Sequence, residues 1–104
     1  MNLELLTADA TTIATAIRTG QISAQTVISQ CLEQITTRNQ TLNCFTTITT
    51  ETALADAAKI DKAIAQGKNP GPLAGVPFAV KNLFDIANLT TLAGSIINAE
   101  NPPA

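Results

Sequence analysis

The chain has 104 residues, of which 45% are hydrophobic, 13% charged and 3% aromatic, so it supports one small domain with a core of Ile, Leu, Val and Ala. Six basic and eight acidic residues give a formal net charge of −2, which excludes the basic surface of a nucleic-acid-binding protein. The chain contains no histidine, which excludes a Ser-His-Asp triad and a His-ligated metal site within these residues.

Two helices are predicted in the first forty residues. Thr7 and Asp9 offer N-caps to a helix over about residues 9–19, whose apolar residues recur at helical spacing. Ser23 is the expected N-cap of a second helix, which carries another apolar stripe and is expected to end near Asn39.

Residues 39–72 are predicted to form three different kinds of structure in turn. Residues 39–50 are rich in Thr and Asn, and their near-alternation of apolar residues indicates an extended segment or a short strand. A third helix follows with Gly67 as its expected stop, and its apolar face consists of residues that recur at helical spacing: Ala53, Ala57, Ile60 and Ile64. Residues 68–72 are rich in Pro and Gly and are predicted to form a loop.

The region 71–104 differs from the helical part, residues 1–70. Residues 73–80 form a short, almost wholly apolar run that is typical of a strand buried on both faces. Lys81 follows that run directly. The chain is therefore expected to be one domain in two parts, a helical part and a part with a strand and a loop that carries Lys81.

Lys81 is the residue whose surroundings indicate chemistry. An ammonium group at the end of a buried strand loses solvation, and a lysine that becomes neutral can act as a general base. The alternative is a strand-end lysine that keeps its charge in solvent. Asp85 either pairs with Lys81 or caps a local turn, and Ser95 has no base beside it in the sequence.

Cys31 and Cys44 match no metal-binding or redox spacing. They are expected to be free thiols in a reducing compartment, with a disulfide as the alternative. The sequence has neither a signal-peptide pattern nor an apolar run of the ~18 residues that span a bilayer. We therefore expect a cytoplasmic protein that binds no membrane and leaves its two glycosylation sequons, at Asn39 and Asn88, unused.

The segment 71–85 reads Gly-Pro-Leu-Ala-Gly-Val-Pro-Phe-Ala-Val-Lys-Asn-Leu-Phe-Asp, and residues 89–95 read Leu-Thr-Thr-Leu-Ala-Gly-Ser. These two motifs resemble the amidase signature family. The preceding layout, with its three helices and a Leu-Asn-x-Phe stretch at 42–45, resembles the N-terminal region of the same family. Within the family, the motifs are most similar to amidases of the carboxybiuret-hydrolase type.

The resemblance implies a Ser-cisSer-Lys triad that hydrolyses the C–N bond of a carboxylic amide without metal or cofactor. It places the catalytic lysine on Lys81. The glycine- and serine-rich segment that carries both serines in the family does not occur in this chain, and Ser95 matches neither of them. Asn82 also stands where many members of the family have Asp. Residues 1–104 are therefore expected to be the N-terminal part of a single amidase domain and to be inactive alone.

The family fold implied by the resemblance is α/β, with about three helices here followed by one or two strands of a mixed sheet. The expected partners are a small-molecule amide substrate and either a second copy of the chain or a small accessory subunit. Two alternatives stay open. One is the A subunit of a glutamine-dependent tRNA amidotransferase, and the other is a non-catalytic helical interaction module, which residues 1–70 alone would indicate.

Overall fold

The computed structural model of the chain describes residues 7–81, 84, 86–90 and 101–103. Within them it contains three helices, α1 (Ala10–Arg18), α2 (Ala24–Leu42) and α3 (Thr50–Ala65). The helices α2 and α3 pack against each other and form an antiparallel hairpin. None of the helices in the described residues is long and apolar enough to cross a membrane.

Side-chain caps define where the first two helices begin. The Oδ1 atom of Asp9 accepts a hydrogen bond from the Thr12 amide at 2.9 Å, so Asp9 rather than Thr7 is the N-cap of α1. Hydrogen bonds from the side chain and the amide of Thr12, and from Thr11, lower the pKa of the Asp9 carboxyl below its ordinary value of 3.8. The hydroxyl of Ser23 accepts from the Thr26 amide at 3.1 Å and caps α2, which confirms that prediction.

The end of α2 lies beyond its predicted position near Asn39. The helix continues to Leu42, so the prediction of an extended segment is wrong for residues 39–42, and residues 43–49 form no strand. Asn43 ends the helix in the left-handed conformation, with φ 50°, which an asparagine tolerates better than most residues. The Asn39 side chain then holds the loop, because it donates to the Phe45 carbonyl at 3.0 Å and accepts from the Phe45 amide at 2.9 Å.

The third helix matches its predicted pattern. Ala57 is buried at its centre, and the other residues of the predicted apolar face are partly buried against the core. Gly67 follows the helix with φ +76° and marks its end, as predicted. The buried residues in the described part of the chain are all small or aliphatic: Ile13, Ala14, Ala16, Ile17, Ala24, Val27, Ile28 and Ala57.

The strand predicted over residues 73–80 is not present in the structure. Residues 72–75 form turns, and residues 76–80 have no regular secondary structure. The hydrogen bonds of this segment are local, as in the bond from the Val76 amide to the Leu73 carbonyl at 3.2 Å. A strand requires a neighbour to pair with, and no described residue provides one. The regular secondary structure of the described residues is therefore helical, and the sheet of the expected α/β fold is not seen among them.

Candidate functional site

Lys81 lies at the end of the irregular stretch 76–81 and is exposed to solvent. Its backbone carbonyl accepts a hydrogen bond from the Phe84 amide at 3.2 Å. No side chain in the described part of the chain forms a hydrogen bond or an ion pair with the Lys81 ammonium group. Three residues considered with it in the sequence, Asn82, Asp85 and Ser95, lie outside the described residues. Of the candidate site residues, the structure thus locates Lys81.

The residues that lead to Lys81 rest on the helical unit, which we define as residues 7–67. Contact is made at Gly75 and Val76. A Cβ atom placed on Gly75 would lie 2.6 Å from Cδ1 of Ile17 and 3.2 Å from Cβ of Ala24, closer than carbon atoms normally approach. Val76 packs against the hydrophobic core. The Gly-Val pair of the amidase-like motif is therefore the point at which the motif meets the helices.

Asp61 joins the start of α2 to the end of α3. Its Oδ1 atom accepts a hydrogen bond from the Ala24 amide at 2.7 Å, and its Oδ2 atom accepts from the Gln25 amide at 3.1 Å. These are amide groups that a helix leaves unsatisfied at its start, and a carboxylate is also favoured there by the helix dipole. Asp61 and Ser23 together cap α2.

Sequence reasoning missed this role of Asp61, although a signal was present. Asp61 follows the buried Ala57 by four residues and therefore lies on the packed face of α3. An acidic residue on the apolar face of a helix requires a hydrogen-bond donor nearby, and the start of α2 provides two.

An open groove of about 990 Å³ is lined by residues of the α2–α3 hairpin, by its connecting loop and by the described residues from Leu73 to Thr90. Its lining is mostly apolar and includes large side chains that are well exposed: Phe45, Ile48, Leu73, Phe78, Val80, Phe84 and Ile86. Cys31 also lines the groove, and burial raises the pKa of its thiol. Both cysteines are free thiols, as predicted. In the residues described, no group of three or more His, Cys, Asp or Glu side chains could hold a metal ion.

Comparison with known proteins identifies the family. The family model named Amidase matches residues 26–104, which include most of the helical hairpin, the residues Gly75 and Val76, and Lys81. The chain belongs to the amidase family. The resemblance found in its sequence motifs is thereby confirmed.

Two kinds of enzyme are found among the curated relatives of this amidase-family chain. AtzE of Pseudomonas sp. (strain ADP), which forms part of a 1-carboxybiuret hydrolase, is 48% identical over 92 residues, covering 88% of this chain and 20% of the relative. The A subunit of the glutamyl-tRNA(Gln) amidotransferase of Mycolicibacterium paratuberculosis (strain ATCC BAA-968 / K-10) is 37% identical over 95 residues, covering 90% of this chain and 19% of the relative. The chain thus spans about a fifth of the length of these relatives.

Solved structures show the same relationship. One, from work on a vestigial protein complex and the evolutionary origins of an s-triazine catabolic enzyme, is similar to this chain with a TM-score of 0.90 and 45% sequence identity. The similarity covers 93% of this chain and 21% of the solved chain. An inhibitor-bound complex of the same work matches equally well. The backbone of this amidase-family chain is therefore similar to about one fifth of a much larger protein.

Proposed function

We propose that residues 1–104 form the N-terminal part of an amidase domain that hydrolyses the C–N bond of a small carboxylic amide, and that Lys81 is the lysine of a Ser-cisSer-Lys triad. The observation that carries the proposal is the family match over residues 26–104, which includes the motif that ends in Lys81. The 48% identity to AtzE of the 1-carboxybiuret hydrolase supports a hydrolase.

In this mechanism Lys81 acts as the base of the triad. As the serine oxygen attacks the amide carbonyl carbon, its proton passes through the middle serine to the Nζ atom of Lys81. The proton is then delivered to the leaving nitrogen as the C–N bond breaks, and water later hydrolyses the acyl-serine. Backbone amides stabilise the tetrahedral oxyanion. Both serines belong to a part of the family's domain that these 104 residues do not contain.

The surroundings of Lys81 support a role as one part of a larger site. The groove beside the described residues from Leu73 to Thr90 is lined by apolar side chains that are exposed, and residues 76–80 lack a strand partner in the described structure. A neighbouring strand would satisfy the backbone of this segment and cover its apolar side chains. We propose that the complete domain is α/β and supplies that strand, with residues 73–80 entering its mixed sheet.

The same proposal predicts the substrate, the protein partner and the compartment of the complete enzyme. The substrate is a small-molecule amide, the protein partner is a second copy or a small accessory subunit, and the complete enzyme acts in the cytoplasm. The two free thiols are consistent with a reducing compartment. Neither nucleic acid nor membrane is expected to bind directly, because the chain is acidic overall.

A chimera tests the function. Residues 1–104 replace the matching fifth of AtzE, and hydrolysis of 1-carboxybiuret is measured. We expect an active chimera in which Lys81→Ala lowers kcat by at least about 10³-fold. Lys81→Arg should be equally inactive, because a guanidinium stays protonated and accepts no proton.

Lys68→Ala is the matched control, because Lys68 is an exposed lysine in the loop after α3 and should leave kcat unchanged. The unfused 104-residue chain should release no ammonia from the same substrate, since both serines are missing. Full activity of the Lys81→Ala chimera would show that Lys81 is a surface charge and would remove the proposal.

A second candidate function is supported by the 37% identity to the A subunit of the amidotransferase over 90% of this chain. The same residues would then serve to release ammonia from glutamine for a partner protein. Discrimination between the two functions comes from a second chimera, made with that amidotransferase. Glutaminase activity that requires the other amidotransferase subunits, combined with an inactive carboxybiuret chimera, would favour this second function.

A further inference from the structure

We propose that Gly75 is a positioning residue for Lys81, because its lack of a side chain lets the segment that carries the lysine rest directly on the start of α2. The inference rests on the proposed function, since it concerns the same lysine. Gly75 itself touches no substrate in this proposal. It sets the position, relative to the helices, of the backbone that leads to Lys81.

Two independent features require glycine at this position. The backbone of Gly75 has φ +87°, a conformation in which an L side chain is strained. The space above its Cα atom is also occupied, because an added Cβ atom would lie 2.6 Å from Cδ1 of Ile17 and 3.2 Å from Cβ of Ala24. The positive φ occurs at other glycines of the chain, but the close approach distinguishes Gly75 from Gly20, Gly67 and Gly71, which have nothing within 4 Å.

The surface that faces Gly75 belongs to the buried core of the helical unit. Ile17 is 1% exposed and Ala24 is fully buried. Ala24 has no side-chain torsion that could move its Cβ atom aside, and the Asp61 carboxylate holds its amide at 2.7 Å. We therefore expect a methyl group added to Gly75 to displace the residues that lead to Lys81 rather than the helices.

The displacement reaches Lys81 because the next residues are stiff. Val76 precedes Pro77, and a residue before proline is restricted to extended conformations while the proline has a fixed φ. A shift at Gly75 is therefore carried forward along the chain rather than absorbed in the adjacent torsions. A misplacement of about 1 Å at a catalytic group lowers the rate by about 10²-fold.

The expected signature is a loss in kcat without an equal change in KM. Lys81 moves a proton in the chemical step, whereas this inference gives Gly75 no contact with the substrate. In the carboxybiuret chimera we expect Gly75→Ala to lower kcat by about 10- to 100-fold and to leave KM within about threefold.

Gly67→Ala provides the matched control for backbone strain. Gly67 has a similar φ of +76° with nothing within 4 Å of an added Cβ atom. The kcat of the Gly67→Ala chimera should therefore stay within about twofold of that of the parent chimera. Ile17→Val provides the rescue, because it removes Cδ1, the atom nearest to the added methyl group. The double variant Gly75→Ala/Ile17→Val should recover at least about fivefold in kcat over Gly75→Ala.

Each outcome decides the inference. A Gly75→Ala chimera with the kcat of the parent overturns the inference. An equal loss of kcat in Gly67→Ala also overturns it, because the loss would then come from backbone strain and not from the close approach at Gly75. Failure of Ile17→Val to restore any activity also overturns it. If Gly75→Ala does not fold, the double variant is measured instead. If neither variant folds, Gly75 is required for folding and the inference is wrong. An active Lys81→Ala chimera would remove the proposed function itself, whereas an inactive one with unaffected Gly75→Ala would remove only this inference.

Discussion

The helical unit is followed in the chain by the lysine segment, which we define as the described residues among 72–90. The two regions differ in how far their apolar side chains are buried. Every buried residue of the described structure lies in the helical unit, between Ile13 and Ala57. The lysine segment has no buried residue among those described, although it holds Leu73, Phe78 and Val80. Apolar composition alone therefore does not make a core. The helices cover one another's apolar faces, whereas the segment needs a partner that these residues do not provide.

The sharpest test of this comparison replaces one apolar residue in each region. Ile17→Ala should lower the free energy of unfolding by about 2–5 kcal/mol, because the side chain is 1% exposed and leaves a cavity. Phe78→Ala should change it by less than about 0.5 kcal/mol, since Phe78 is 85% exposed. Urea denaturation of the 104-residue chain, followed by helical circular dichroism, measures both. Equal losses in the two variants would show that the segment is packed after all.

The exposed face of the lysine segment should make the chain associate. Phe78 and Phe84 are 85% and 66% exposed beside the apolar groove, and exposed patches of this kind promote association. Burial of one such side chain contributes about 1.5–3 kcal/mol, so Phe78→Glu should weaken association by at least about tenfold. Sedimentation velocity at several concentrations measures the effect. A chain that stays monomeric at all concentrations would contradict this prediction.

The cap that Asp61 places on α2 should have a smaller effect. Asp61→Ala removes both hydrogen bonds to the start of α2 and should cost about 1 kcal/mol of unfolding free energy, with a range of about 0.5–2. Asp61→Asn keeps one acceptor oxygen and should cost less. Asp56→Ala is the control on the same helix, because Asp56 is exposed. A control variant as unstable as Asp61→Ala would show that the loss comes from helix propensity and not from the cap.

The smallest expected effect is a dependence on pH at the start of α1. Folding lowers the pKa of Asp9 below 3.8 through its hydrogen bonds with Thr12 and Thr11, so the folded chain binds fewer protons there than the unfolded chain. The stabilisation is therefore present above about pH 3.8 and is lost as the pH falls through the lowered value. Unfolding free energies of the parent and Asp9→Asn should converge on acidification. A difference between them that stays constant down to about pH 2 would contradict this.

Local signals were sufficient to predict much of the helical unit. Ser23 identified the start of α2, Asp9 was one of two N-cap candidates for α1, and the spacing from Ala53 to Ile64 identified α3. The end of α2 was misplaced because the Thr- and Asn-rich stretch has poor helix propensity. Its helical continuation to Leu42 is accompanied by the left-handed Asn43 and the bond between Asn39 and Phe45, and neither feature is visible as a periodicity.

The site was only partly predictable for a different reason. Lys81 could be singled out as a candidate because the motif that ends in it is contiguous in the sequence. The roles of Asp61 and Gly75 depend on residues far along the chain, since Asp61 binds the amide of Ala24 across 37 residues and Gly75 meets Ile17 and Ala24. Such meetings follow from tertiary packing alone. The strand over 73–80 was predicted from its apolar run. A strand also needs a second segment to pair with, and the described residues do not provide one.

The bond from Asp61 to the start of α2 has a consequence for hydrogen exchange. Amide protons in the first turn of a helix normally exchange fast with solvent, because no carbonyl of the helix accepts them. Here the amides of Ala24 and Gln25 donate to a carboxylate on α3, so their exchange requires that the Asp61 carboxylate moves away. Their exchange rates therefore report how often the contact between Asp61 and the start of α2 opens. Two amide protons at the start of α2 thus measure how often the side-chain contact that joins it to α3 is broken.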